Sequence, residues 1–534
     1  MTEICDVKTQ TGKFAVQGDT VKNILNFNPR KILSIAFIAL LTLAAACVTK
    51  TKTDELVMLL ESKVTTFDPR NSTESSDARI QQLLFNGLTK KNEKFEPVGD
   101  LAESFESSPD YKTWTFKLRQ GVKFHNGRPL TAADVKYTFD TLVQGKLKKA
   151  GELTRDNNLA MVEAPDANTV IFRCNNPLPG FANLILPIGI IPEGSADTQA
   201  KAPIGTGPFK FVSYASDQEI ILAANENYFG GPSNVKTLKV KIVPDNSTRD
   251  AELRSGSGDL AINADFDPVT VESLKKAPNV KVMQSDGTNV GYLGVNMDDP
   301  LLKDVRIRQA IAYAIDREAI IRDVLLGQAK TANSVLPVTQ WAYEKDTAIY
   351  NFDIEKAKAL LDQAGKKQDG DKPRFKVSLK TSTNSLSRKI GEVLQEQFRR
   401  IGIDLTLMPL ERNVMLDDVL KGNYQLYYLQ MVGGNQSTDI FKFAYHSKSV
   451  PPNGQNRMRY NNPKVDKLID DALLAPQEKR KEIYSEIQKT LALELPQIYL
   501  WYPSAITVVR DRANGIVQDP SGDWSVVRNV KLTP

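Results

Sequence analysis

Residues 375–431 read FKVSLKTSTNSLSRKIGEVLQEQFRRIGIDLTLMPLERNVMLDDVLKGNYQLYYLQM, and their patterning changes four times. FKVSLKT has the alternation of a strand. SRKIGEVLQEQFRRIG follows with helical spacing, then IDLTLMPL as a strand, ERNVMLDDVLKG as a helix and YQLYYLQM as a strand. Strand, helix, strand, helix, strand is the order of an open α/β sheet, in which ligand loops gather at strand ends. The end of the last strand, 427–434, is therefore where a binding site is sought.

The same two periods extend outward from this stretch. In TWTFKLR, Trp114, Phe116 and Leu118 point to one side while Thr113, Thr115, Lys117 and Arg119 point to the other. Leu238, Val240 and Ile242 alternate in the same way, so both segments predict half-buried strands. In DVRIRQAIAYAIDREAIIRDVLLG, 304–327, the residues Ile307, Ala310, Ile311, Ala314 and Ile315 share one helical face. Asp304 and Asp316 are placed to cap successive helices, and Gly327 to stop the second. Thr131 and Asp134 have the spacing of a capping box, with Asp for the usual Glu.

The N-terminus has a different character. Residues 32–46 carry no charge, follow Arg30 and Lys31, and end in three alanines before Cys47. Fifteen residues fall short of the roughly 20 that span a bilayer. A basic flank, an apolar stretch and small residues at its end are the parts of an export signal. The reading is a lipoprotein signal over 1–46, cleaved before Cys47, whose thiolate takes a lipid; each buried methylene then adds about 0.8 kcal/mol to membrane affinity. An ordinary cleaved signal and a short membrane anchor are the alternatives. The thirty residues ahead of the apolar run are long for a signal, which is consistent with a start further downstream. Residues 47–54 form a small polar tether.

The chain has 534 residues, 69 Lys and Arg, 64 Asp and Glu, and three cysteines. Removal of 1–46 takes five basic and three acidic residues, so the remainder is close to neutral, and its basic residues are not striped as in a nucleic-acid interface. Cys174 is the one cysteine left beside Cys47, so no internal disulfide is expected; a chain this long is expected to be stable without one, in two or three domains.

Motifs of catalysis are missing. His125 and His446 are the two histidines, far apart and without a neighbouring cysteine, so neither a metal site nor a cofactor is expected. H-E-x-x-H, G-x-S-x-G and the phosphate-binding G-x-x-x-x-G-K-[ST] do not occur. IGTGPF at 204–209 lacks a third glycine, and Gly205 and Gly207 are read as turn residues before the strand FKFVSY. Asp298–Asp299 and Asp417–Asp418 are adjacent in sequence and need not face one another. No enzyme is expected, although a hydrolase built from scattered residues stays open.

The segment PVGDLAESFESSPDYKTWTFKLRQGVKFHNGRPLTAADVKYTFD, 97–140, resembles extracellular solute-binding proteins of family 5, the peptide- and nickel-type group serving ABC importers. PIGTGPFKF at 203–211, VPDNSTRDAELRSGSGDLA at 243–261, LGVNMDDPLLKDVRIRQAIAYAIDREAII at 293–321, NFDIEKAKALLDQAG at 351–365 and the stretch 460–502 follow in the family's order. The resemblance implies a type II (cluster C) periplasmic binding protein-like α/β fold, two lobes joined by hinge strands with an inserted subdomain. The expected division is 55–74, 196–291 and 493–534 for the first lobe, 75–195 for its insert and 292–492 for the second lobe. It further implies a monomer, exported to the periplasm or cell envelope and lipid-anchored to a membrane. Such a receptor captures a peptide or other small solute, closes on it and delivers it to an ABC permease.

Peptide binders of this family hold the ligand main chain as an added strand. By that resemblance one wall is Thr73, Glu74 and Ser75, and the other Gln430, Met431, Val432, Gly433 and Gly434. Peptide binders carry an aspartate in the second segment for the ligand amine, and Gly434 stands there in this chain. Either Asp439 or Glu74 supplies the charge, or the cargo lacks a free amine, as a sugar or modified peptide does; Asp439 reads equally as a helix N-cap. A receptor that signals at the envelope is a further alternative. Nickel-type binding is disfavoured by the scarcity of histidine.

Overall fold

The structure is a computed structural model that describes residues 54–72, 74–154, 158–263, 266–433, 437–518 and 522–533. Cys47 with its signal and most of the tether, Thr73 and Gly434 lie outside the described residues. Among those described, no helix is long and apolar enough to cross a membrane.

Two large sheets organise the chain. The first has seven strands in the order Val280–Ser285, Ala505–Arg510, Leu260–Ala261, Glu55–Leu60, Thr237–Ile242, Glu219–Ala224 and Phe209–Ala215. The second has six, in the order Ala329–Thr331, Gln497–Pro503, Val290–Val295, Leu426–Met431, Phe375–Ser382 and Ile403–Leu410. Each sheet is buried on both faces, so its central strands are apolar throughout and their side chains divide by parity. Leu56, Met58 and Leu60 enter one core while Val57 and Leu59 enter another. In the second sheet Leu426 and Tyr428 pack on one side, Tyr427 and Leu429 on the other.

The alternating segment of 375–431 folds as its periods require. Phe375–Ser382 lies parallel to Ile403–Leu410 and to Leu426–Met431. The intervening helices are Ser385–Arg399 and Arg412–Lys421. Ile390, Leu394 and Phe398, four apart, carry the buried stripe of the first. Asp304 and Asp316 cap their helices by accepting from the Arg306 and Ala319 N–H groups. The helix Arg317–Asp323 stops before Gly327, whose N–H reaches back to the Ile321 carbonyl. Asp134 Oδ2 accepts from the Thr131 N–H and hydroxyl, as the capping-box spacing implies.

The chain crosses between the sheets twice, through 286–289 and through Ser504. These crossovers touch. A Cβ on Gly287 would stand 1.8 Å from the Pro503 carbonyl oxygen. Gln284 Nε2 donates to Ser504 Oγ at 3.0 Å, and Lys330 pairs with Asp286 at 2.6 Å. Because the obstructing atom at Gly287 is backbone, Gly287→Ala forces the two crossovers apart. The expected cost is about 1–3 kcal/mol, read as a lower urea midpoint; an unchanged midpoint would show that the hinge yields freely.

A four-stranded sheet, ordered Ala102–Ser107, Thr113–Leu118, Thr169–Cys174 and Leu159–Asp166, forms a body of its own with the helix Ala132–Gln144. Its core runs from Leu88 to Ile190 and includes Trp114, Phe116, Phe139 and Phe172. Two expected boundaries differ. The helix Ser75–Leu84, expected in this insert, buries Ile80, Leu83 and Leu84 in the core of the seven-stranded sheet. Gln497–Pro503, expected in the first lobe, pairs with Val290–Val295 in the six-stranded sheet. Its residues 497–502 are all buried, as in a central strand, and the change of lobe waits for the turn at Ser504.

Candidate ligand-binding cleft

Strand direction decides which edges face one another. Ala505–Arg510 leaves the second crossover, and Val280–Ser285 and Leu260–Ala261 are antiparallel to it. Glu55–Leu60 runs parallel to Leu260–Ala261 and to Thr237–Ile242, so these strands point toward the second lobe. Val290–Val295 leaves the first crossover, and Leu426–Met431 is antiparallel to it, so that strand, its parallel neighbour Phe375–Ser382 and Ile403–Leu410 beyond it all point back. Both sheets therefore present carboxyl ends to the space between the lobes, the position at which open α/β sheets bind ligands.

On the first-lobe side, the segment after Leu60 is clamped by Asp77. This fully buried carboxylate accepts from Thr65 N–H at 2.7 Å, Thr65 Oγ1 at 2.6 Å and Ser72 Oγ at 2.6 Å. Arg70 holds Asp68 and also donates to Thr141 Oγ1 and the Ala196 carbonyl. Glu74 then sits at the N-cap of Ser75–Leu84 without a side-chain capping bond, and both Glu74 and Ser75 are exposed.

On the second-lobe side, Gln430 is exposed, Met431 is half-buried against the aromatic core, and Val432 is exposed. Gly433 has φ +72°, a backbone conformation that glycine adopts without the cost of a Cβ.

Asp439 occupies the N-cap position of Ile440–Tyr445, as one reading of the sequence has it, yet its side chain makes no capping bond. Its Oδ2 accepts from Ser437 Oγ at 2.8 Å instead. Its Oδ1 lies 3.7 Å from where a Cβ on Gly180 would be, so the insert reaches this carboxylate from across the cleft. Asp439 keeps an exposed surface, yet protein packed around it removes much of the water near its carboxyl. That desolvation raises its carboxyl above the ordinary value, against the lowering effects of Ser437, Lys442 and Arg480. It forms no ion pair with the described residues.

Sequence reasoning missed Gly180 and Lys149. Lys149 ties the insert to the first-lobe wall, donating to Gln81 Oε1 at 2.9 Å and to the Pro187 carbonyl at 2.7 Å, and burial brings its pKa down to about 8. Neither residue lies in a recognisable motif: Lys149 reaches Gln81 across 68 positions, and Gly180 meets Asp439 across 259.

Other candidate chemistry resolves into structure. His125 Nδ1 accepts from the Gly205 N–H and its Nε2 faces the Gly207 carbonyl, while burial lowers its pKa to about 4. The glycines of IGTGPF are needed for close approach, not for a turn: a Cβ on Gly205 would lie 2.1 Å from the Leu84 carbonyl oxygen. Burial pushes the Cys174 thiol up to about 11, which leaves it unreactive. Asp418 pairs with Lys380 at 2.5 Å, and Asp299 caps the Leu301 and Leu302 N–H groups. Among the described residues no group of three or more His, Cys, Asp or Glu side chains is arranged to hold a metal. Two concavities of about 910 and 740 Å³ lie at the crossovers and within the second lobe, and neither is lined by the expected ligand residues.

Comparison with known proteins agrees with this architecture. The oligopeptide-binding protein AppA of Bacillus subtilis is 30% identical over 495 residues, covering 88% of this chain and 90% of its own. The dipeptide-binding protein of Escherichia coli is 29% identical over 520 residues, covering 92% and 96%. Among solved structures, the ABC transporter substrate-binding protein CtaP of Listeria monocytogenes superposes with a TM-score of 0.80 at 27% identity, covering 90% of this chain and 99% of its own. AppA in complex with a nonapeptide superposes at 0.72 and 26% identity, covering 90% and 99%. The model of bacterial extracellular solute-binding proteins, family 5, matches residues 96–451. With the two-sheet architecture and the facing strand ends already in place, the chain belongs to the bacterial extracellular solute-binding proteins of family 5.

Proposed function

We propose that this protein is the substrate-binding component of an ABC importer, that its cargo is an oligopeptide, and that it binds without altering it. The observation that carries the reading is the pair of sheets, joined by two short crossovers, whose carboxyl ends face one cleft. Peptide-binding relatives of this length support the choice of cargo. In this reading Gln430, Met431, Val432, Gly433 and Gly434 offer the peptide backbone a strand edge, opposite Thr73, Glu74 and Ser75. Asp439 receives the ligand's amine. Closure requires contacts with both walls that exist in the closed state alone, because a ligand with equal affinity for open and closed forms shifts nothing.

Cys47 carries the lipid in this reading, and the monomeric receptor works at the envelope beside its permease. Native mass spectrometry of the chain from residue 47 onward, incubated with mixed oligopeptides, is expected to show one peptide bound and recovered intact. An empty protein, or shortened peptides, would overturn the reading. In cells, Cys47→Ser is expected to move the protein from the membrane to the soluble fraction. Retention at the membrane would refute the anchor while leaving the cargo assignment untouched.

A further inference from the structure

The second lobe contains a concavity of about 740 Å³ that the transport reading does not use. Small-molecule sites span roughly 300–1,000 Å³. Its walls come from 315–318, 331–333, 343–352 and 492–499, all within this lobe. None of the residues at 74–75 or 430–439 belongs to it, so it is separate from the cleft.

Arg317 forms part of that wall. Its Nε is buried and has no hydrogen-bond partner. Its Nη2 reaches the Ala312 carbonyl at 3.5 Å, the limit of a hydrogen bond. No described carboxylate pairs with it; the adjacent Asp316 uses Oδ1 to cap the Ala319 N–H. Arg308, one helix earlier and also buried, shows what a structurally satisfied guanidinium has in this lobe: the carbonyls of Glu494, Leu302 and Lys303 at 2.7–2.8 Å. Burial lowers the Arg317 pKa to about 10, so it still carries its charge at neutral pH.

A half-buried cation with an unpartnered Nε and one acceptor at the limit of hydrogen bonding, on the wall of a concavity of ligand size, is a site for an oxyanion, which a guanidinium binds through two parallel N–H···O bonds. The surroundings narrow the choice. Lys345 stands exposed on the same wall as a second positive group. Ile349 and Phe352 expose apolar surface there, at 57% and 41%. Asp316 and Glu318 also line this wall and balance Arg317 and Lys345, which disfavours a multiply charged anion. We infer that this concavity binds a small organic monocarboxylate, its carboxylate on Arg317 and its apolar body against Ile349 and Phe352.

The test titrates the protein with benzoate, and in parallel with inorganic phosphate, by calorimetry at constant ionic strength set with chloride. Saturable benzoate binding that peptide does not displace is the expected result. Arg317→Gln is expected to weaken it about 10- to 100-fold, the worth of a charge-assisted pair, with peptide affinity unchanged; Arg317→Lys restores part of it. Should Arg317→Gln fail to fold, Ile349→Asp, which puts a negative charge where the apolar body packs at an exposed position, must abolish benzoate binding. The inference is overturned by benzoate binding no tighter than chloride, by competition with peptide, by phosphate binding as well as benzoate, or by variants that bind like the parent.

Discussion

Asp439→Asn lowers affinity for a peptide with a free amine about 10- to 100-fold and leaves affinity for the N-acetylated peptide unchanged. Truncating one partner of a desolvated charge pair typically costs 2–5 kcal/mol or more; the solvent that still reaches Asp439 places the effect toward the low end. The carboxylate's surroundings are the reason for this expectation. It makes no capping bond, forms no ion pair with the described residues and lies between Ser437 and Gly180 of the opposite body. Asparagine keeps the shape and the Ser437 contact but removes the charge. The pH dependence has a definite sign. Burial raises this carboxyl, so as pH falls it takes up its proton above the ordinary carboxylate range, and free-amine affinity weakens from there downward. In Asp439→Asn that dependence disappears. Equal losses for free and acetylated peptides would remove Asp439 from the site and leave Glu74 as the remaining carboxylate.

Arg512→Met destabilises the fold by about 3–5 kcal/mol. Asp259 is fully buried, accepts from the Val57 N–H at 2.9 Å, and receives Arg512 through Nε at 2.6 Å and Nη2 at 2.9 Å. The same Nη2 donates to the Glu55 carbonyl. One guanidinium thus joins three segments of the seven-stranded sheet region: its start, its middle and the C-terminal return. Methionine keeps much of the stem's packing but strands a carboxylate in the interior. Asp259→Asn in the same chain is expected to recover part of the loss, because a neutral amide is far cheaper to bury than an unpaired charge. Urea denaturation of the single and double variants reads both effects. A loss under about 1 kcal/mol in the single variant would mean that water reaches Asp259 and that the pair adds little.

Local patterning carried a large share of the fold. The five elements of 375–431 occur in the order their periods imply, and Trp114, Phe116, Leu118, Leu238, Val240 and Ile242 are all buried as alternation requires. The caps at Asp304, Asp316 and Thr131–Asp134 were equally legible, because each is a contact between residues two or three apart. The family resemblance implied two lobes with an insert, but its boundaries missed the helix Ser75–Leu84 and the strand Gln497–Pro503, whose packing partners lie far away in the chain.

What the sequence by itself determined, then, is whatever depends on neighbours along the chain: which segments are strands or helices, which face of each is apolar, and that motifs of catalysis are missing. Tertiary structure decided what depends on distant partners. It placed Gln497–Pro503 in the second lobe, set Gly287 against Pro503, and turned Asp439 from its cap toward Gly180. It also left Arg317 Nε without an acceptor while the Arg308 guanidinium found three. The physical reason is common to all of these. A side chain's charge, solvent and hydrogen-bond partners are set by groups that folding brings in from elsewhere, and no periodicity records which groups those will be.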